Sequence, residues 1–451
     1  MVAYSVQQTL VLPALPALQH TFHTSATWAS WTVSLFLVVS CVANPLLGRL
    51  GDAYGRRRLL LFVLGLFLVG SVLATASTSI WMLVLARAVQ GAGGAVVPLS
   101  AAIIRDRLPD ERVGFAIGVL FSIMAATTVL GFACSGLVVD HLGWRWLFAL
   151  AVPPLLAAVG LLWWYLPESP AHACTRPDVP GALLLSLALV AGLVALTEGT
   201  DWGWTGARTL GLLGAFALLL LIWSAIERRT DEPLVDLRLL FRCRVFLTNA
   251  CAFGLGGATF CAFTLMPRFA ETVPAATPGS YGVGASATEV GLLMAPGFVL
   301  GLAAGPLCGL LGRRVGPGLP LLLGASAMAV GCVALAMWNR NAWQVAIAMI
   351  PLGVGWAGAM ASLSVATLAS VEGEHAGLAT GITQVARQVG GAIGTQVGAA
   401  ILVASASHGT PSAHAYEVVF LLGAAAAAAA ALVAPFAGAR RAPARPAPAS
   451  P

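Results

Sequence analysis

The sequence predicts an all-α integral membrane protein with fourteen transmembrane helices. Of its 451 residues, 59% are hydrophobic and only 9% are charged, whereas soluble proteins are typically about 25% charged. The apolar residues fall into runs of about 19, the window that identifies membrane-spanning helices. The charged residues collect in the connections between those runs. These three observations predict a chain built for lipid.

Each apolar run is interpreted as one membrane-spanning helix. The first begins almost at Met1 and is about 17 residues long, slightly less than the usual span of about 20. Two alternatives stay open: this helix is short, or the coding start lies upstream. The predicted spans are 3–19, 28–48, 59–77, 81–104, 113–138, 146–166, 179–197, 209–226, 246–269, 288–311, 319–337, 343–365, 376–404 and 418–438.

An internal echo divides the chain into two halves. The segment from Gly305 to Gly316 resembles the segment from Pro45 to Gly55, with Gly312 aligned to Asp52. Parallel repeats of this kind occur in transporters. We therefore predict four regions: an N-terminal six-helix bundle, two additional transmembrane helices with a cytoplasmic linker, a C-terminal six-helix bundle, and a disordered cytoplasmic tail. Their boundaries are 1–166, 167–245, 246–439 and 440–451.

Arginine sets the predicted orientation. All 24 basic residues are arginine. If both termini are cytoplasmic, eighteen arginines lie in inside connections or the tail, and four lie in outside connections. Positive residues favour the cytoplasmic side, so we predict a plasma-membrane protein with both termini inside. One inside connection, 366–375, is an exception because it carries glutamates and no arginine. Topology also explains the net charge of +6 without a nucleic-acid partner.

A turn between the second and third predicted spans carries an ordered motif. It reads Gly-Arg-Leu-Gly-Asp-Ala-Tyr-Gly-Arg-Arg-Arg from Gly48. Gly48, Gly51 and Gly55 permit backbones to approach closely. Asp52 has no topological use in a basic turn. We expect it to pair with an arginine such as Arg56 and to lie near a helix N-terminus.

Two arginines, Arg87 and Arg387, lie inside predicted spans. A charge at the centre of a bilayer costs about 2.5–3.5 kcal/mol on insertion scales, so each should face a cavity or a partner. Gln90 and Gly91 share a helix face with Arg87 because they follow at i+3 and i+4. The alternative for Arg87 is a side chain that snorkels to the interface. The alternative for Arg387 is a structural arginine bonded to carbonyl groups.

Together these motifs resemble the major facilitator superfamily. The turn resembles its signature loop between helices two and three, and the segment from Arg87 to Gly94 resembles the fourth-helix motif of its proton antiporters. Fourteen spans, with Gly-Trp-Arg-Trp-Leu-Phe from Gly143, resemble the EmrB/QacA-type drug:proton antiporters. The resemblance implies the major facilitator fold, two six-helix bundles plus two additional central helices. It also implies a cytoplasmic gate at Asp52 and Arg56, and proton transfer linked to Arg87.

The chain departs from that family pattern in two spans. The fifth-helix antiporter motif is degenerate: Gly131 and Gly136 are present, but Phe132 replaces the proline that kinks this helix. In the first span Gln7 occupies the position of an acid, and glutamine cannot carry a proton. Glu289 is then a candidate for protonation, and its alternative role is a cap at the start of the tenth span.

The sequence predicts a secondary transporter that exports lipophilic or amphipathic small molecules, drugs and antibiotics among them. Proton antiport with alternating access is expected from the resemblance. The alternatives are an exporter or uniporter of a specific metabolite not coupled to protons, and a non-transporting membrane sensor on a transporter fold. The scarcity of acids near membrane depth favours neutral or anionic substrates over dications.

We expect no enzyme, no cofactor and no metal site. The histidines are scattered, no Cys-x-x-Cys pair exists, and no phosphate-binding loop is present in a chain without lysine. The expected partners are a small-molecule substrate, protons and the lipid bilayer. We expect no nucleic acid, and we expect a monomer.

Overall fold

The computed structural model describes residues 2–11, 14–24, 26–168, 179–230, 242–272, 282–371, 376–405 and 412–437. The regular structure within these ranges is helical. The predicted tail, 440–451, lies outside them. The N-terminal part contains α1 (Val2–Thr9), α2 (Leu15–Phe22), α3 (Ala26–Tyr54), α4 (Arg56–Thr75), α5 (Ile80–Gly91), a 3-10 turn (Ala92–Ala95), α6 (Val96–Arg107), α7 (Asp110–Leu142), α8 (Arg145–Ala149) and α9 (Val152–Tyr165).

The remaining helices cover the rest of the described chain. They are α10 (Val179–Trp202), α11 (Ala207–Glu227), α12 (Cys243–Glu271), α13 (Ala287–Val315), α14 (Gly318–Met337), α15 (Ala342–Ser370), α16 (Ala376–Ala404) and α17 (Ala413–Ala437).

The predicted number of spans is not confirmed. Within the described residues, ten helices are long and apolar enough to cross a membrane. The first predicted span is two short helices, α1 and α2, instead of one. Proline lacks an N–H and is tolerated in the first turn of a helix, and Pro16 lies in the first turn of α2. The other thirteen predicted spans each overlap a helix or a pair of consecutive helices.

Two helix pairs pack across the middle of the molecule: α7 with α13, and α3 with α16. Glycine makes the first contact possible. Gly114 and Gly118 of α7 lie directly against the backbone of Gly309 and Gly305 of α13, where a methyl group would overlap a carbonyl oxygen. Small residues allow helices to approach this closely in lipid, where packing replaces the hydrophobic effect.

The two additional helices cover the seam between the halves. Helices α10 and α11 pack on each other, and α10 also contacts α3 and α16. Leu189 and Leu193 of α10 are buried with Val38 and Cys41 of α3, against Val385 of α16. The division at residues 166 and 246 into two bundles and a central pair stays a prediction.

The turn after α3 and the turn after α13 resemble each other in structure. Their residues match in a register that differs by one position from the sequence alignment. Gly55 after α3 and Gly316 after α13 both adopt positive φ, 104° and 86°. A side chain other than hydrogen would strain either position. Matching these two glycines places Arg313, and not Gly312, at the position of Asp52. Pro317 then occupies the position of Arg56.

Candidate transport site and latch

At one end of the molecule an ion-pair cluster joins α3, α4 and α6. The Arg56 guanidinium donates from Nε and Nη2 to Asp52 Oδ1, at 2.9 and 2.7 Å. Arg56 Nη1 donates to Asp106 and, at 3.4 Å, to the Ala102 carbonyl. The Asp52 and Arg56 side chains are 1% and 2% exposed. A buried guanidinium held by two carboxylates in this way is a charge-assisted network.

Asp52 also connects the two halves. Its Oδ2 accepts a hydrogen bond from the Leu378 backbone N–H, at 3.1 Å. Leu378 lies in the first turn of α16, where N–H groups have no partner within the helix and the dipole favours negative charge. Nearby, Arg105 Nη2 donates to the Val371 carbonyl at 3.0 Å. We call Asp52, Arg56, Asp106 and the Leu378 N–H the latch, since separating the halves at this end requires breaking the bond between Asp52 and Leu378.

The glycines of the turn hold the latch in place. Gly48 and Gly51 are buried, and a Cβ at Gly51 would overlap the Leu99 side chain. A Cβ at Gly55 would lie 2.8 Å from the Glu168 carboxylate. Close packing and a left-handed turn therefore account for glycine at Gly51 and Gly55.

Arg87 lies in a second, separate cluster and is fully buried. Its Nε donates to the Thr32 carbonyl at 2.9 Å, and its Nη1 donates to Gln90 Oε1 at 2.9 Å. Gln90 in turn donates to Ser71 Oγ at 2.9 Å. The guanidinium also lies over the Phe36 ring, 4.1 Å from the centroid. Arg87 thus has neutral partners and a cation–π contact, and its Nη2 has no partner among the described residues.

Gln7 lies buried near this cluster. Its Nε2 donates to the Leu147 carbonyl at 2.8 Å, while its Oε1 has no partner among the described residues. Phe148, the next residue after Leu147, lies 6.0 Å from the Arg87 guanidinium. The predicted acid position and Arg87 therefore flank the same short helix, α8.

A cavity of about 290 Å³ lies between the two halves. Three rings form one wall of this central cavity. Phe263 and Phe298 are 5.1 Å apart, and each lies 6.0–6.3 Å from Trp356. The lining residues are Gln8, Val33, Ser34, Leu37, Val38, Leu193, Thr259, Phe260, Phe263, Thr264, Phe298, Trp356, Arg387, Gln388, Ala392, Thr395 and Gln396.

Arg387 forms the floor of the central cavity on the side of the latch. It lies nine residues along α16 from Leu378, about 14 Å at 1.5 Å per residue. Between them is a small space of about 20 Å³, also lined by Arg387; that is room for about one water. Arg387 Nε donates to Gln384 Oε1 at 2.7 Å. Its two Nη atoms have no hydrogen bond within the described residues.

The comparison with protein families decides what kind of protein this is. The model of the Major Facilitator Superfamily matches residues 1–395 and, in a second match, residues 274–450. The chain belongs to the major facilitator superfamily. Members of this superfamily are multi-pass membrane transporters and not enzymes, and they bind small-molecule substrates within the membrane.

Two relatives show which members of the superfamily have similar sequences. Multidrug resistance protein Stp of Mycobacterium tuberculosis is 30% identical over 358 residues, which cover 79% of this chain and 65% of the relative. The tetracenomycin C resistance and export protein of Streptomyces glaucescens is 30% identical over 379 residues, 80% of this chain and 66% of the relative. The chain thus spans slightly less than two thirds of the length of these relatives.

Solved structures support the same fold for this transporter. The human organic anion transporter MFSD10 (TETRAN) superposes with a TM-score of 0.64 at 16% identity, over 94% of this chain and 96% of that one. The proton:xylose symporter XylE superposes with a TM-score of 0.64 at 17% identity, over 94% and 92%. At these identities the likeness shows the major facilitator fold alone.

The remaining predicted residues lie apart from the central cavity. Glu289 is exposed and forms a capping box with Ser286, accepting from its backbone N–H at 2.7 Å. Glu289 thus makes the contacts expected of a helix cap. A role of Glu289 in proton coupling stays a prediction. Gly131 and Gly136 both lie in α7, where Gly131 is buried; the surroundings of Gly136 are outside the described residues.

Sequence reasoning missed the aromatic wall. Phe263, Phe298 and Trp356 lie in uniformly apolar helices, and an aromatic residue in such a run gives no sign that it faces a cavity. It also missed Leu378, because a backbone N–H has no sequence signature.

Proposed function

We propose that this transporter exports lipophilic or amphipathic small molecules, drugs and antibiotics among them, by alternating access across the plasma membrane. One observation carries the proposal: a cavity between the two halves, with an aromatic wall, closed at one end by the latch. An apolar cavity with a few polar groups is the usual form of a small-molecule site. The names of the relatives, which refer to multidrug resistance and to tetracenomycin C export, support the same substrate range.

We take the latch side as cytoplasmic, with both termini on that side, because the arginine-rich turns lie there. In the present conformation the latch and the glycine contacts between α7 and α13 hold the halves together at this end. Loading from the cytoplasm then requires Asp52 to leave the N-terminus of α16. Gly48, Gly51, Asp52, Gly55 and Arg56 are thus the proposed gate.

Proton antiport is the expected driving force, with Arg87 and Gln90 as its proposed coupling residues and Gly91 as their packing partner. Gly91 supports this cluster because a Cβ there would overlap Val39 and the Phe36 carbonyl. The Arg87 guanidinium also lies over the Phe36 ring of α3. We therefore expect a residue change at Arg87 to alter the position of Phe36.

A second candidate, export that is not coupled to protons, is favoured by two observations. Gln7 stands where an acid would carry the proton. The described residues lining the central cavity also include no carboxylate. Proton relays inside membranes usually use aspartate, glutamate or histidine.

The test of export is dye accumulation in cells that lack their main efflux pumps. Cells with the transporter should accumulate several-fold less of lipophilic dyes than cells with the empty vector. Phe298→Ala should abolish much of this difference because it opens the aromatic wall, while Phe62→Ala, at a 56% exposed site, should not. Equal dye accumulation with and without the transporter, across anionic, neutral and cationic dyes, contradicts the proposal.

Collapse of the proton gradient separates the two candidates. Nigericin removes the pH difference and leaves the membrane potential. A fall in export under nigericin supports proton antiport. Export that follows the membrane potential but does not change when a pH difference is imposed at constant potential supports the uncoupled candidate.

A further inference from the structure

The central cavity holds an unusual charge balance. Arg387 is the only formally charged side chain among the described residues that line it. A guanidinium always carries its charge at physiological pH. Among the described residues only its Nε is bonded, to a neutral amide. The fork of two Nη groups matches the geometry of an oxyanion, and the described residues that line the cavity include no carboxylate to pair with it.

Two further donors line the same cavity without a partner. Trp356 is 7% exposed, and its indole Nε1–H makes no hydrogen bond to the described residues. The Thr395 hydroxyl is likewise buried and unpaired within them. Tryptophan can only donate, and leaving a buried donor unpaired costs about 1–3 kcal/mol. These groups therefore favour a ligand that accepts hydrogen bonds.

The three rings of the aromatic wall indicate the shape of the apolar part of that ligand. Phe263, Phe298 and Trp356 present edge and face surfaces at centroid distances of 5.1–6.3 Å, the arrangement in which aromatic groups attract each other. Trp356 belongs both to this wall and to the donor set. A planar aromatic group against the wall would therefore place a substituent within the reach of the Trp356 N–H.

Aromatic walls can also bind cations, but this cavity does not favour them. An arginine in the same low-dielectric space repels a cationic ligand, and no described lining carboxylate offsets that repulsion. Arg87 offers no alternative anion site, since it is fully buried and covered by Phe36.

We propose that the central cavity binds amphipathic aromatic monoanions, with the anionic group on Arg387 and Trp356 and the aromatic body against Phe263 and Phe298. This inference rests on the proposed function, because it names the substrate class of the same cavity.

The test uses three probes of one shape and fixed charge: anthracene-2-sulfonate, the neutral anthracene-2-sulfonamide and a cationic anthracen-2-yl-trimethylammonium. Binding to the purified full chain in detergent is followed by fluorescence anisotropy. We expect the sulfonate to bind roughly tenfold or more tightly than the sulfonamide, as a hydrogen bond to a charged group warrants, and the cation to bind most weakly.

Variants assign the charge recognition to Arg387. Arg387→Gln should weaken sulfonate binding roughly 10- to 100-fold and leave sulfonamide binding within about twofold. Arg387→Lys keeps the charge and loses the fork, so it should fall between. Trp356→Phe should weaken the sulfonate a few-fold, and Arg340→Gln, at an exposed position, should match the wild type.

Three results overturn the inference. The cation binds as tightly as the sulfonate; Arg387→Gln weakens the sulfonate and the sulfonamide equally; or Arg387→Lys binds the sulfonate no better than Arg387→Gln. If the wild type binds no probe but exports lipophilic dyes from cells, the inference fails and the proposed function stands. If it binds no probe and exports no dye, both fail.

Discussion

The two halves of this transporter differ in how their intramembrane arginines are packed. In the N-terminal half, Arg87 has two hydrogen bonds to neutral groups and a ring over its face. In the C-terminal half, Arg387 has one hydrogen bond to the described residues and lines a cavity. Both are followed by small residues at i+4, so the sequences around them look alike. The difference shows that packing, and not the motif, decides whether an intramembrane arginine is enclosed by protein or lines a cavity.

The turns at the latch end also differ between the halves, in how far their residues are buried. In the N-terminal half, Asp52 and Arg56 are buried and paired. In the C-terminal half, the corresponding residues are Arg313, which is exposed, and Pro317, which is half-buried. The aromatic wall and Arg387 also come from the C-terminal half. We therefore expect the C-terminal half to supply the aromatic and charged contacts to a substrate in the central cavity, and the N-terminal half to line its other side.

The largest expected difference between the halves is in stability. Arg87→Leu leaves Gln90 without its donor and should destabilise the transporter by about 3 kcal/mol. Arg387→Leu removes one hydrogen bond and should cost less than about 1 kcal/mol. Thermal unfolding in detergent, followed by size-exclusion chromatography of heated samples, compares them. Equal losses in the two variants would contradict the difference in packing between Arg87 and Arg387.

The next effect concerns the charge at Arg387. If the substrate is a monoanion, a membrane potential of 100 mV should contribute about 2.3 kcal/mol to its transport, or about a 50-fold gradient. Proteoliposomes with an inside-positive potassium diffusion potential and no pH difference should therefore accumulate anthracene-2-sulfonate. The neutral sulfonamide should reach equal concentrations on both sides. An additional response to a pH gradient at zero potential indicates proton antiport, and its absence selects the uncoupled candidate. Sulfonate movement that ignores the potential would contradict an anionic cargo.

A smaller effect is expected at the latch. Asp52→Asn removes the negative charge from the N-terminus of α16 and should favour opening by about 1–2 kcal/mol. A cysteine at Ser364, which lines the small space next to Arg387, reports the opening in a cysteine-free background. Its reaction with a water-soluble thiol reagent should become roughly tenfold faster. Glu111→Gln, an exposed acid at the same end, is the control; an unchanged rate in Asp52→Asn would show that the contact to Leu378 does not hold the halves together.

Much of the fold could be predicted from the sequence, because hydrocarbon requires long apolar helices. From the second predicted span onward, each span overlaps a helix or a pair of consecutive helices, but the number of spans is not confirmed. The first span was wrong as one continuous helix because hydropathy does not register what Pro16 does to the backbone. The pairing of Asp52 with Arg56 followed from an acid in a basic turn. Its contact to Leu378 did not, since the two residues are 326 positions apart.

The recognition side of the cavity was harder to predict. Arg387 stood out because a charge in an apolar run needs a reason, but the same reasoning applied equally to Arg87. Trp356 and Phe298 carry no charge and no periodic signal. Which face of an apolar helix lines a cavity depends on how the halves meet, and that is a property of packing between helices that are distant in sequence.

The smallest expected effect concerns the turn of the C-terminal half. Arg313→Asp together with Pro317→Arg recreates the spacing of Asp52 and Arg56 at matched backbone positions. Arg313 is exposed, and exposed ion pairs contribute only about 0–1 kcal/mol. An acid in the last turn of α13 also opposes the helix dipole, at about 0.3–1 kcal/mol. The double variant should therefore differ from the wild type by less than about 1 kcal/mol in thermal unfolding and leave the Ser364→Cys labelling rate unchanged, with each single substitution as its control. A second latch, seen as slower labelling in the double variant alone, would show that spacing suffices without burial, and that the two halves differ only in which residues they carry.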